Sequence, residues 1–168
     1  LDDELTATRM INARAAHYFR RDMFDDVERV RSDLASLAGV TAEEVCLTRN
    51  TTESLNIIIN GLDIAPGEEI VYANHDYGSM MQALQMKAAR YGVVLKQVIL
   101  PVHPVSDEEI VKIYEEAITP RTRLLHMTHM NNLSGQVIPI RKLCDMGHRY
   151  GIESAVDAAH TFACPADS

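Results

Sequence analysis

The sequence predicts an α/β fold with three layers: a mostly parallel sheet with helices on both faces. Three observations carry that prediction. Short apolar runs alternate with stretches of helical periodicity through most of the chain, the order that builds strand–helix–strand units. The last run, Ile152 to Val156, holds Glu153 and Ser154 yet reads as a strand covered on both sides. Polar groups gather at Asn50-Thr51-Thr52, His75-Asp76-Tyr77, His129 to Gly135 and Asp157 to His160. If each follows a strand of a parallel sheet, all lie at the edge where such sheets bind ligands.

The elements follow in order. Residues 1–20 are polar with scattered apolar positions and are expected to be helical. Val27, Val30, Leu34 and Leu37 then mark an amphipathic helix closed by Gly39. Thr41-Ala42-Glu43-Glu44 has the capping-box pattern on a short turn, and Val45-Cys46-Leu47 is expected as a brief strand. Thr48 to Glu53 opens a helix with Leu55, Ile58, Ile59 and Leu62 on its apolar face, and Pro66-Gly67 is a turn. Glu69 to Ala73 is a strand. The loop 74–78 leads to a helix with Met81, Leu84, Ala88 and Tyr91 on one face, ended by Gly92. Val93 to Leu100 is the next strand. Ser106 to Glu109 is a second capping box, whose helix carries Ile110, Ile113, Tyr114 and Ala117 and breaks at Pro120. A strand from Arg123 to Met130, a loop from Asn131 to Gly135, and a helix starting near Pro139 precede the strand that ends at Asp157.

The totals exclude several classes of function. The 168 residues suffice for one domain with a substantial core, and 46% hydrophobic with 24% charged residues is an ordinary globular balance. Net charge is −8 and no Lys/Arg cluster offers a footprint for a phosphate backbone, so nucleic acid is not an expected partner. No apolar run approaches the roughly 20 residues a membrane helix needs. Cys46, Cys144 and Cys164 are widely spaced with no C-x-x-C, so they read as small core residues in a reducing cytoplasm, not a disulfide framework or zinc ribbon. The chain begins at Leu1 and ends soon after His160, which suggests a piece of a longer protein. The first 25 residues are expected to form an arm or connecting helix, and 26–168 a partial domain.

Each polar group has a bland reading and a chemical one. Asn50-Thr51-Thr52 is either an ordinary N-cap or an anion seat, since free N–H groups and the helix dipole favour an anion there. Tyr77 is either a partly buried loop tyrosine or a ring laid against a planar ligand. His75 and Asp76 read as a solvated loop before an acid/base pair. His126 and His129 are three apart on a strand and point to opposite faces, so they do not share a metal. Met127 and Met130 are expected in the core. Asn132 is either a turn residue or an amide facing a ligand oxygen. Asp157 is the strongest candidate: a carboxylate at a buried strand end needs a cationic partner. With His160 it lacks further ligands at metal spacing, so no metal site is expected. No G-x-S-x-G, G-x-G-x-x-G or Walker pattern occurs.

Taken together, the four segments resemble the class V aminotransferase family of fold-type I pyridoxal-phosphate enzymes, which includes isopenicillin-N epimerase-like proteins, cysteine desulfurases and carbon–sulfur lyases. Asn50-Thr51-Thr52-Glu53-Ser54-Leu55-Asn56 is similar to the family's phosphate-side N-T-T-E-x-L-N. His75-Asp76-Tyr77-Gly78 is similar to its H-x-Y-G loop. His129 to Gly135, with Pro139, resembles the segment whose Asn reaches the cofactor's phenolic oxygen. Val156 to His160 resembles V-D-G-A-H, with Ala158 for the usual Gly.

The resemblance implies the truncated large domain of this fold, with pyridoxal 5′-phosphate as cofactor. Asn50, Thr51 and Thr52 would sit at the phosphate, Tyr77 on the ring face and Asn132 at the phenolic oxygen. Asp157 would face the ring nitrogen, with His160 near the phenolic oxygen or the Schiff base; Asp157 and His160 are the implied catalytic residues. It implies an amino-acid substrate, a cytoplasmic location and a homodimer. The nearest reading is isopenicillin-N epimerase-like. A cysteine desulfurase or carbon–sulfur lyase of the same family is the alternative, and a non-catalytic α/β binding module is a further one. Tyr77 and Asp157-x-x-His160 replace the His-His and D-x-x-Gln patterns of the desulfurase branch. The family's Schiff-base lysine lies beyond Ser168, and Lys87, Lys96, Lys112 and Lys142 do not fill its place. The 168 residues alone are therefore expected to be inactive.

Overall fold

The computed structural model describes residues 2–162. Cys164 lies outside them. The chain divides into two compact units between Leu47 and Thr48.

The first unit is helical: α1 (Asp2–Ala13), α2 (Ala15–His17), a π-helical turn (Tyr18–Asp22) and α3 (Met23–Ala38). Gly39 closes α3 in the left-handed conformation at φ 71, which lets its N–H reach the carbonyls of Ala35 and Ser36. The stripe expected to pack is instead largely open: Val27, Val30 and Leu37 are exposed, and Ala35 is the helix's buried residue. Thr41 and Glu44 form the expected capping box over a 3₁₀ turn, Ala42–Glu44. Val45 to Leu47 is not a strand. The Val45 N–H is used by the turn, donating to the Ala42 carbonyl at 3.2 Å.

The second unit runs α4 (Thr51–Gly61), β1 (Glu69–Ala73), α5 (Gly78–Tyr91), β2 (Val94–Val98), α6 (Asp107–Ala117), β3 (Thr122–Thr128), α7 (Ile140–Tyr150) and β4 (Glu153–Asp157). The sheet has the order β2-β1-β3-β4 and every pair is parallel. The chain steps from β1 outward to β2, then crosses back to β3 and β4. Crossovers are right-handed, so reversing the direction of winding puts the connecting helices on opposite faces. The packing agrees. Leu55 and Ile59 of α4 and Met80, Ala83 and Leu84 of α5 cover Ile70, Tyr72, Leu124 and Ala155. Ile110 and Tyr114 of α6 and Leu143 and Met146 of α7 cover Val71, Ala73, Leu125 and Met127 on the other face. The fold is the three-layer α/β sandwich that the sequence predicts.

The face of α5 is rotated from the expected one, and that of α4 is as expected except at Ile58, with Leu62 packed beside Leu55 and Ile59. In α5 the buried set is Met80, Ala83, Leu84 and Lys87, whereas Tyr91 is exposed. Lys87 stays in because its Nζ donates to the Leu62 carbonyl at 2.7 Å, capping the end of α4 while its stem packs inside. In α4, Ile58 is exposed and the buried pair is Leu55 and Ile59. No helix of the described residues is long and apolar enough to cross a membrane.

Candidate functional site

Reversal of the strand order puts a switch point between β1 and β3, and open α/β sheets bind ligands in the crevice at such a point. A cavity of about 430 Å³ lies there, lined by Asn50, Thr51, Thr52, Tyr77, Asn132, Asp157 and His160, with Thr128 and Met80 among the other walls. That volume falls in the range of small-molecule sites, roughly 300–1,000 Å³. All seven residues singled out in the sequence thus line one space.

Each reaches it for a local reason. Asn50 is extended at φ −170 and caps α4, its Oδ1 accepting from the Glu53 N–H at 2.9 Å. The capping reading of this segment is therefore correct. It also leaves the amides of Thr51 and Thr52, in the first helical turn, without intrahelical acceptors beside two hydroxyls. Glu53 turns away to a bidentate pair with Arg49, 2.7 Å at its shortest. Tyr77 caps α5 through its carbonyl, which accepts from Met80 and Met81, and leaves its ring 43% exposed on the cavity. Asn132 is carried by a turn that Asn131 builds, its Oδ1 accepting from the Leu133 and Ser134 amides.

Asp157 ends β4 opposite Thr128 of β3. It is 6% exposed, and its Oδ1 accepts from the Ala159 N–H at 3.1 Å. No lysine or arginine among the described residues pairs with it. A buried carboxylate with this much spare acceptor capacity is costly unless a donor or cation occupies the cavity. One cavity thus holds an anion seat, an exposed aromatic ring, an amide and an under-partnered carboxylate. That set fits a planar ring carrying an anionic group and a protonated nitrogen.

The structure corrects two expectations, at Asp76 and Met130, and adds one residue. Asp76 is not in a solvated loop: it is 4% exposed, and its carboxylate accepts from the Ala73 N–H at 2.8 Å and the Thr128 N–H at 3.0 Å. Its other neighbour is His126 Nδ1, at 3.3 Å, so His75 is not its partner. Tyr114 is buried nearby, and burial together with the negative charge of Asp76 pushes its phenol well above the usual value. The added residue is Thr128, which no sequence pattern singles out. The residue stands in the cavity wall, and its hydroxyl is buried with no hydrogen-bond partner among the described residues. Only strand register shows this, because register puts Thr128 beside Asp157 on the same face. Met127 is fully buried as expected, but Met130 lines the cavity. No group of three or more His, Cys, Asp or Glu among the described residues is placed to hold a metal.

Comparison with known proteins gives a consistent answer. The family model for Aminotransferase class-V matches residues 2–164. The chain is 29% identical to an isopenicillin N epimerase from Amycolatopsis lactamdurans, covering 94% of this chain and 40% of that protein. It is 29% identical to a probable cysteine desulfurase from Mycolicibacterium paratuberculosis, covering 88% of this chain and 22% of that protein. Among solved structures, a cystine C–S lyase in complex with cysteine persulfide superposes with TM-score 0.82 at 20% identity, over 92% of this chain and 44% of that one. The cysteine desulfurase CsdA from Escherichia coli gives 0.71 at 23% identity, over 83% and 35%. The chain thus spans less than half the length of each of these proteins, and the two structural likenesses show the fold.

Proposed function

The chain belongs to the aminotransferase class-V family, and on that premise we propose that it is the cofactor-binding part of a pyridoxal 5′-phosphate-dependent enzyme acting on an amino acid. The observation that carries this is the convergence of seven residues from four separate segments on one cavity, with Asp157 buried and under-partnered in its wall. When bound, the cofactor supplies an electron-withdrawing pyridine ring that stabilises negative charge developing on a substrate carbon. The chain's own residues hold and tune it. The first-turn amides of α4, with the Thr51 and Thr52 hydroxyls and Asn50, bind the phosphate. The Tyr77 ring covers one face of the pyridine. Asn132 donates to the phenolic oxygen, with His160 beside it. Asp157 accepts from the ring N–H and keeps that proton in place, which a neutral side chain cannot do as strongly.

Residues 26–168 are the partial large domain in this reading, and 1–25 an arm. The whole protein is read as an isopenicillin-N epimerase-like enzyme, a cytoplasmic homodimer whose Schiff-base lysine lies further along the chain. Tyr77 and the Asp157-x-x-His160 spacing support that label. The second reading is a cysteine desulfurase or carbon–sulfur lyase, supported by relatives of equal identity. The test uses the full-length protein loaded with pyridoxal 5′-phosphate. Visible absorbance that changes when a candidate amino acid is added is the expected result. Release of sulfide from cysteine would select the second reading, and a protein that takes up no cofactor would overturn both.

A further inference from the structure

We propose that Asp76 is a positioning residue: its carboxylate sets the gap between β1 and β3 and thereby fixes Tyr77 and Thr128 on the cavity wall. β1 pairs with β2 along its whole length, to Ala73↔Val98, and β3 pairs with β4 to Thr128↔Asp157. The β1–β3 seam alone stops early. Its pairs are Glu69↔Thr122, Ile70↔Leu124 and Val71↔Leu125, with nothing beyond, although β1 continues to Ala73 and β3 to Thr128. Where a ladder opens in the interior, its backbone donors need other acceptors.

One carboxylate supplies them. Asp76 Oδ2 accepts from the Ala73 N–H on one bank at 2.8 Å, and Oδ1 from the Thr128 N–H on the other at 3.0 Å. The His126 ring, fully buried on β3, lies 3.3 Å from Oδ2. The Asp76 side chain is 1% exposed. A second tie crosses the same seam, where the Asn131 side-chain amide donates to the His75 carbonyl. Asp76 therefore takes the place of the missing rungs and holds the strands apart at a fixed spacing. The site lies on both banks of that gap. Tyr77 is the next residue after Asp76 and starts α5. Thr128, whose N–H Asp76 holds, stands in the cavity wall with its hydroxyl buried and unpartnered among the described residues.

Asp76 touches no ligand in this reading; it acts through its neighbours. An asparagine there is close in size but replaces one acceptor with an NH₂ group, which faces a backbone donor and leaves an N–H without a partner. The inference rests on the cofactor reading above, and the experiment separates the two. Full-length wild-type protein, Asp76→Asn, Asp76→Glu and Leu143→Ala are titrated with pyridoxal 5′-phosphate, following fluorescence quenching and the induced circular dichroism of the bound cofactor. Leu143 packs in the α6/α7 layer and serves as a variant that loses stability only. The expected result is at least a tenfold loss of affinity and a weakened dichroic band in Asp76→Asn, with Leu143→Ala binding like wild type despite a lower melting temperature. If Asp76→Asn fails to fold, Asp76→Glu keeps the charge but displaces the strand ends, and its dichroic band should still change. An Asp76 variant that folds with wild-type affinity and band overturns the positioning role alone. A wild-type protein that does not bind the cofactor overturns the cofactor reading, and this inference with it.

Discussion

Two buried carboxylates sit at opposite ends of the same sheet and are treated in opposite ways. Glu69 begins β1 and is 2% exposed. It accepts from Thr119 Oγ1 at 2.6 Å, Arg121 Nη2 at 2.9 Å and Thr122 Oγ1 at 3.2 Å, with Lys96 Nζ at 3.6 Å. Burial alone would raise its carboxyl pKa, but these partners outweigh it and hold it at about 2. Asp157 ends β4 at 6% exposure, with the Ala159 N–H on its carboxylate and no lysine or arginine partner among the described residues. A carboxylate that ties the fold together is saturated by the chain itself. One that faces a ligand keeps acceptor capacity in reserve, at a cost to stability. Burial alone does not separate the two roles; the count of partners does.

Asp157→Asn in the full-length enzyme is the sharpest test of that contrast. Turnover should fall by more than about 100-fold, equivalent to about 2.7 kcal/mol of lost transition-state stabilisation. Thermal unfolding without cofactor should stay the same or rise, because an under-partnered charge has been removed. Near-normal turnover, or a marked drop in melting temperature, breaks the comparison. Glu69→Gln should show the reverse. Denaturant titration should give a loss of about 3 kcal/mol, since removing one member of a buried ionic cluster strands the others, while cofactor affinity is unchanged.

Acid titration sharpens the point. The folded Glu69 carboxyl lies near 2, below its ordinary 4.5, so its contribution is complete above about pH 4.5 and is lost as pH falls toward 2. The stability difference between wild type and Glu69→Gln, followed by urea unfolding, should therefore shrink across that window. A difference that stays constant would remove Glu69 from the account. The smallest effect is expected from Arg121→Ala. The Arg121 side chain is 69% exposed, and an ion pair so open to solvent contributes about 0.5 kcal/mol. A much larger loss would mean that Arg121, rather than the hydroxyls of Thr119 and Thr122, holds Glu69 charged.

The strands β1, β3 and β4 are readable in the sequence to within two residues and the ends of α3 to α7 to within about three, because they depend on local chemistry: apolar runs, Gly39 and Gly92 as stops, Asn50 and Ser106 as caps. The brief strand at Val45 was not, because a strand needs a neighbour, and the pattern of three residues names none. The buried face of α5 departs from the periodic one for a related reason. Lys87 enters the core because it can cap the end of a different helix, which periodicity cannot register.

Local chemistry was enough for the layer architecture, whereas the seven residues of the candidate site stand out through the resemblance of four segments taken together, each of which is weak alone. Tertiary structure alone decided the standing of Asp76, Thr128 and Glu69. Whether a carboxylate or hydroxyl is saturated, spare or spanning a gap depends on donors that lie far away along the chain. Asp76 meets the Thr128 amide across 52 positions, and Glu69 meets the Thr119 hydroxyl across 50. Register and sheet order bring those groups together, and no local pattern specifies either one.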